Sequence, residues 1–184
     1  MRVFLAGASG VMGRRLVPLL VDSGHTVAGL TRSQPDAVAA LGAEPVVADA
    51  LDADALTAAL TAFGPDVVVH QLTNLPDARE ELEGTSDANF RIRTEGTSNL
   101  LAAAGTVKTI AQSTAFPARV EELERLVLGA DGVILRYGYW YGPGTWYEKR
   151  LPPEPRIHVD EAARRTVEAL DAPRGSVITL VGRD

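Results

Sequence analysis

Short runs of β-branched and aliphatic residues alternate along the chain with longer stretches whose apolar positions recur every three or four residues. Runs such as "RVFLA" and "DVVVH" are apolar at consecutive positions, which suits strands covered on both faces; the wider spacing suits helices lying on them. Strands are predicted near Arg2–Ala6, Thr26–Leu30, Glu44–Ala48, Asp66–His70, Val107–Gln112, Gly132–Arg136 and Ser176–Leu180. Helices are predicted near Val11–Ser23, Pro35–Leu41, Asp52–Ala62, Ser86–Ala104, Pro117–Leu128 and Val159–Leu170. Asp52 suits a helix start, Pro117 a first turn, and Gly24 and Gly105 left-handed helix ends. The alternation predicts an α/β fold, a doubly wound parallel sheet, and 184 residues suit one domain spanning 1–184. Right-handed crossovers then bring the C-terminal strand ends to one edge, where such folds build their sites. Between Tyr141 and Pro155 the periodicity stops, so residues 137–158 are read as a loop that follows the sixth strand onto that edge.

The first strand–helix junction, "FLAGASGVMGRRL", carries Gly7, Gly10 and Gly13. The first glycine permits a tight turn, the second lets backbone approach a pyrophosphate, and the third lets helix pack closely on strand. The anion would rest on unpaired amides at the helix start, in a cradle of Gly7, Ser9, Gly10, Val11, Met12 and Gly13. An acid at the end of the second strand would hold a ribose diol; here the strand ends in Thr31, Arg32 and Ser33. Arg32 suits a 2′-phosphate, so NADP(H) is expected over NAD(H). Asp49, after the third strand, is a candidate for the adenine amino group or for a turn.

With these features in place the chain resembles the extended and atypical short-chain dehydrogenase/reductases, the NAD-dependent epimerase/dehydratase-like group with a Rossmann-like fold. The GxxGxxG spacing, "RTEGTSNLLAAA", "KTIAQSTAF", "VILRYGYWYGPGT" and "RIHVDEAARRTVEAL" occur in that group's order. The resemblance implies nicotinamide-dependent redox or epimerase/dehydratase chemistry. It also implies a catalytic Ser/Thr on the fifth strand, here Ser113 or Thr114, and a Tyr-x-x-x-Lys pair on the next helix. This chain departs there: Phe116 stands at the tyrosine position and Val120 at the lysine position, and neither transfers or tunes a proton. Arg93 replaces the asparagine of the fourth-helix motif. The segment between "YGPG" and "HVDE" is short, so a reduced C-terminal substrate part is expected.

The substitute chemistry must come from the functional edge. Ser113 and Thr114 suit hydrogen bonding to a carbonyl or oxyanion, and Tyr139 is the candidate replacement acid. All four tyrosines and both tryptophans fall in 137–147. Tyr137, Tyr139 and Tyr141 would share one face of a continued strand, with Trp140 on the other. Trp140, Tyr141, Trp146 and Tyr147, with Phe116 and His70, are the expected pocket residues. The aromatics serve as an apolar wall, an acid or a homodimer contact.

Composition narrows the classes. A net charge of -6 without a basic patch opposes nucleic-acid binding. The absence of cysteine excludes disulfides, thiolate metal sites and cysteine catalysis, and no metal site is expected. No apolar run is long enough for a membrane span, and residues 1–6 read as a strand and not a signal peptide, so a cytoplasmic protein acting on a small molecule is expected. Three readings remain: a reductase or epimerase on a small apolar carbonyl compound, a non-redox isomerase, cyclase or dehydratase, and an NADP-sensing module.

Overall fold

The computed structural model describes residues 1–76, 78–116 and 118–182, and of Glu83 only the backbone. The Pro117 expectation therefore lies outside the described residues. Seven strands form one parallel sheet: β1 (Arg2–Ala6), β2 (Thr26–Thr31), β3 (Glu44–Val47), β4 (Val67–His70), β5 (Lys108–Thr114), β6 (Val133–Tyr137) and β9 (Val177–Leu180). Their order is β3-β2-β1-β4-β5-β6-β9, so the direction of winding reverses between β1 and β4. Two short strands, β7 (Tyr139–Tyr141) and β8 (Arg156–His158), pair in parallel as a separate ribbon.

The period-two logic of a strand is visible in β1. Val3 and Leu5 enter one core, with Leu16, Val17 and Leu20 of α1 (Gly13–Asp22) and Val159, Ala162 and Ala163 of α7 (Val159–Glu168). Phe4 and Ala6 enter the opposite core, with Leu56 and Leu60 of α3 (Ala53–Phe63) and Leu100 of α5 (Thr97–Ala104). On that side α6 (Glu121–Gly129) buries Leu123 and Val127 against Ala111 and Ile134. A sheet buried on both faces explains why these strands read as unbroken apolar runs. The short α2 (Pro35–Ala40) covers the first face through Val38.

Helix ends follow local chemistry. The Asp52 side chain accepts from the Ala55 N–H at 3.0 Å and caps α3, which ends at Gly64 with φ +61°. The predicted 86–104 helix begins earlier and is interrupted. A 3₁₀ turn, Arg79–Glu81, leads into α4 (Leu82–Arg91), and a π-helical turn, Ile92–Gly96, separates α4 from α5. Such turns insert one residue into a helix and re-aim its side chains. The aromatic strand does not continue as one element either. At Gly138 a Cβ would come within 2.8 Å of the Arg156 backbone, and there the chain leaves the main sheet for the ribbon.

Candidate functional site

The glycine loop connects β1 to α1 at the reversal point. Gly7 has φ +95°, and a Cβ there would lie 2.9 Å from the Gln71 carbonyl oxygen. At Gly13 a Cβ would lie 2.2 Å from the Gly7 oxygen, so this glycine is demanded by packing of α1 against the strand end. Gly10 differs, because the nearest protein atom to its added Cβ is the Gly7 oxygen at an ordinary 3.4 Å. Protein packing does not require a glycine there; close approach of a ligand would. The start of α1 has no side-chain cap and no acid in its first turn. The Val11 and Met12 amides have no hydrogen-bond partner among the described residues. These are the properties of an anion cradle, and the loop fits a dinucleotide pyrophosphate. Ser9 is held from the side, its Oγ accepting from Thr31 Oγ1 at 3.1 Å.

A cavity of about 660 Å³ opens over this loop along the C-terminal strand edge. One end is lined by the glycine loop, Arg32 and Asp49; the other by Ser113, Thr114, Phe116, Tyr139, Trp140, Trp146 and Tyr147. Asp49 accepts from the Leu51 N–H at 2.9 Å, the turn role its position suggested. The 142–147 turn is tied across the mouth. Arg15 of α1 donates to the Pro143 carbonyl and to Asp160 of α7, the latter at 2.7 Å, while Trp146 Nε1 donates to the Pro76 carbonyl at 3.1 Å. Tyr147, an expected pocket residue, lines the cavity but is only 6% exposed and meets Tyr139 edge-on at 6.1 Å. The 137–147 aromatics thus serve both core and cavity. Tyr137 is core, and Trp140 packs edge-on to it at 5.4 Å instead of facing away, because the strand bends at Gly138.

At the positions of the family's proton-transfer pair, the Phe116 ring stacks on Tyr139, centroids 3.8 Å apart and planes 6° from parallel. Val120 is buried just before α6. Thr114 Oγ1 donates to the Phe116 carbonyl at 2.9 Å. Ser113 Oγ donates to Glu124 at 2.5 Å, and Arg136 grips the same carboxylate through two hydrogen bonds of 2.9 and 2.6 Å. The Arg136 hydrogen bond, with that from Ser113, holds the Glu124 carboxyl below its usual range, so it stays ionised. The Ser113 proton is therefore engaged by an acceptor that does not let go of it. The Tyr139 hydroxyl has no hydrogen-bond partner among the described residues.

Two expected pocket residues lie elsewhere. His70 is fully buried at the end of β4 and does not line the cavity. Its Nδ1 accepts from the Leu72 N–H at 3.1 Å, so Nε2 carries the proton and donates to Thr97 Oγ1 at 2.8 Å, which donates to the Arg93 carbonyl at 2.7 Å. Burial, and then the Arg93 charge, push its pKa down to about 3, so the ring is neutral. Tyr141 instead packs edge-on against the His158 ring at 5.2 Å, under Gly142, where a Cβ would meet that ring at 2.6 Å. His158 caps α7, accepting from the Asp160 N–H. His70 is scaffold because its ring is buried and hydrogen-bonded on both nitrogens, and Tyr141 because the ribbon sets it against His158.

The cavity also has buried polar groups, of which sequence reasoning placed only Trp140 there. Gln71 Oε1, Gln112 Oε1, Arg93 Nε and Trp140 Nε1 are buried without partners, and all four residues line it. Thr166 Oγ1 donates to the Ala162 carbonyl, so Tyr137 must donate to Thr166, and Gln71 Nε2 donates to Tyr137; this relay leaves the Gln71 amide oxygen unused. Polar residues at strand ends carry no motif, so position on the functional edge was the one available signal. Arg93 stood out in sequence only as a departure from asparagine.

The chain matches the model of the NAD dependent epimerase/dehydratase family over residues 3–115. It belongs to that family. A 3-diazoavenalumate denitrifying reductase from Streptomyces sp is 38% identical over 94% of this chain and 73% of the relative. Among solved structures, the Thermus thermophilus UDP-glucose 4-epimerase complex with NAD superposes with a TM-score of 0.76 at 18% identity, over 100% of this chain and 78% of that one. The Bacillus anthracis dTDP-glucose 4,6-dehydratase in complex with NAD gives 0.79 at 13%, over 100% and 76%. The family's enzymes are of oxidoreductase type and act on small substrates.

These findings correct the cofactor expectation. Both of these solved structures hold NAD and not NADP, which favours NAD(H) over NADP(H). The inference from Arg32 fails for a physical reason: a guanidinium donates to hydroxyl oxygens as well as to a phosphate, so its presence does not require one. Here it also reaches Asn74 Oδ1 across the cleft at 3.4 Å. Among the described residues no group of three or more His, Cys, Asp or Glu could hold a metal ion, and no helix is long and apolar enough to cross a membrane.

Proposed function

We propose that this protein is an NAD(H)-dependent reductase whose substrate accepts hydride without needing a tuned proton donor. The observation that carries this reading is the Phe116–Tyr139 stack, with a buried Val120 four residues on, at the positions where the resemblance implies a tyrosine and a lysine. Ser113 is committed to an ionised carboxylate. A carbonyl becoming an alcohol needs a proton; a group that leaves as dinitrogen does not.

The Streptomyces relative is named for a diazo substrate and a denitrifying reduction, and we extend that reaction class to this chain. NAD(H) supplies the hydride, and for an aryl diazonium the balance is diazonium plus NADH giving arene, dinitrogen and NAD⁺, with no proton taken up or released. The glycine loop would hold the pyrophosphate through the Val11 and Met12 amides, with Asp49 and Arg32 at the adenosine end. Phe116, Tyr139, Trp140 and Trp146 form an apolar wall that orients a planar aromatic ring and keeps water from the reacting group.

The test is enzyme-dependent NADH oxidation with aryl diazonium salts, using NADH carrying deuterium at the transferred position. Deuterium should appear on the ring carbon that lost nitrogen. Reduction of aryl ketones or aldehydes with no enzyme-dependent diazonium turnover would overturn the reading and return attention to Tyr139 as an acid.

A further inference from the structure

Arg93 is 6% exposed and sits in the π-helical turn between α4 and α5. Its Nε is buried without a partner, and no ion pair or side-chain hydrogen bond engages the guanidinium among the described residues. Burial lowers its pKa, and a guanidinium nonetheless remains charged in a protein. A buried charge without a counter-ion is costly and does not persist for stability's sake. The backbone around it is deliberately held. The π turn re-aims the side chain, and the His70–Thr97 relay anchors the Arg93 carbonyl.

The side chain lines the main cavity and also a second cavity of about 490 Å³ between α4 and the segment after β5. Arg93 and Leu75 are common to both linings, so the guanidinium stands at their junction. The other arginines of the main cavity are differently placed. Arg14 is bound to Ser9 and Gln34, Arg91 to Glu95, and Arg32 reaches Asn74 at the adenosine end. Arg119, at the second cavity, is exposed, stacked on Phe90 and 3.9 Å from Asp87. Arg93 is thus the buried cation at the aromatic end, a single positive charge presented as a planar fork.

We propose that the substrate is an aromatic compound bearing a single carboxylate, which is received by Arg93, its ring lying against the Phe116–Tyr139 wall. One guanidinium balances one negative charge, and the fork matches a carboxylate in two parallel hydrogen bonds. Trp140 Nε1 is a second free donor on the same cavity. The inference rests on the reading that the aromatic end takes substrate, and it is separable from the hydride chemistry.

The experiment compares matched acids and neutral amides, benzoate with benzamide and cinnamate with cinnamamide, by calorimetry on the full chain with NADH present. The acid of at least one pair should bind about tenfold or more tighter than its amide. Arg93→Met should erase that preference while NADH affinity stays within about twofold, and it should raise the melting temperature by removing an uncompensated charge. Arg93→Lys should keep part of the preference, and it decides the matter should the methionine variant not fold. No acid preferred over its amide, a preference that survives in both variants, or a selective loss of NADH binding in Arg93→Met each overturns the assignment. An acid preference without any diazonium turnover removes the hydride reading and leaves this one standing.

Discussion

The rings of Phe116 and Tyr139 lie face to face, 3.8 Å between centroids and 6° from parallel, at the position where the family resemblance implies a proton-donating tyrosine. A hydroxyl is dispensable to such a stack, whereas the ring is not. Tyr139→Phe is expected to lower kcat/KM by less than about threefold, and Tyr139→Ala by about tenfold or more, since an aromatic pair contributes roughly 0.5–1.5 kcal/mol beyond the area it buries. Steady-state kinetics on the two variants check this. A collapse of kcat in Tyr139→Phe, steeper at high pH, would make Tyr139 the acid.

The three glycines separate by what each one faces. Gly10→Ala leaves ordinary protein contacts, so stability should change by less than about 1 kcal/mol while NADH affinity falls about tenfold or more. Gly13→Ala drives a methyl into the Gly7 oxygen and should cost on the order of 1–3 kcal/mol or more along with cofactor binding. Urea unfolding paired with NADH and NADPH titrations reads both effects, and NADH should bind more tightly of the two.

Most of this fold was legible because parallel strands buried on both faces have few polar positions to obscure them, as Val3–Ala6 and Val67–Val69 illustrate. The glycine loop was legible because its spacing is steric. What stayed hidden depends on contacts distant in sequence. The ribbon pairs Trp140 with Ile157, and the π turn at Arg93 looks in sequence like ordinary helix. Trp140 was placed opposite Tyr137 because period two assumes a strand continues, and Gly138 ends it. His70 at a strand end reads like a site residue, but Thr97, which holds its ring in the interior, comes from elsewhere in the fold.

His70 makes stability depend on pH. Its folded-state pKa of about 3 lies below the unfolded value of 6.5, so between them the unfolded chain binds a proton that the folded chain refuses. The stabilisation is complete above 6.5 and is lost progressively as pH falls, by up to several kcal/mol in all. From pH 6.5 to about 5 the carboxylates have scarcely begun to titrate, so this window reports histidine. His70→Gln retains a donor for Thr97 and an acceptor for the Leu72 amide without the titration. Unfolding midpoints across that window should slope in the parent and flatten in the variant.

Glu124 links β5, α6 and β6 by accepting from Ser113 and Arg136 together. Its folded-state pKa is lowered, so its contribution is present above the unfolded carboxylate value and is lost as pH falls through the folded one. Arg136 is 43% exposed, which screens the pair, so Glu124→Gln should cost only about 1–2 kcal/mol at neutral pH. The Gln amide can accept at one oxygen only, and its NH₂ opposes whichever donor loses. A double-mutant cycle with Ser113→Ala should return a coupling of about 1 kcal/mol, because the Ser113 proton is spent on this carboxylate and not on substrate. Strict additivity, with Ser113→Ala abolishing turnover, would show that the serine acts on substrate after all.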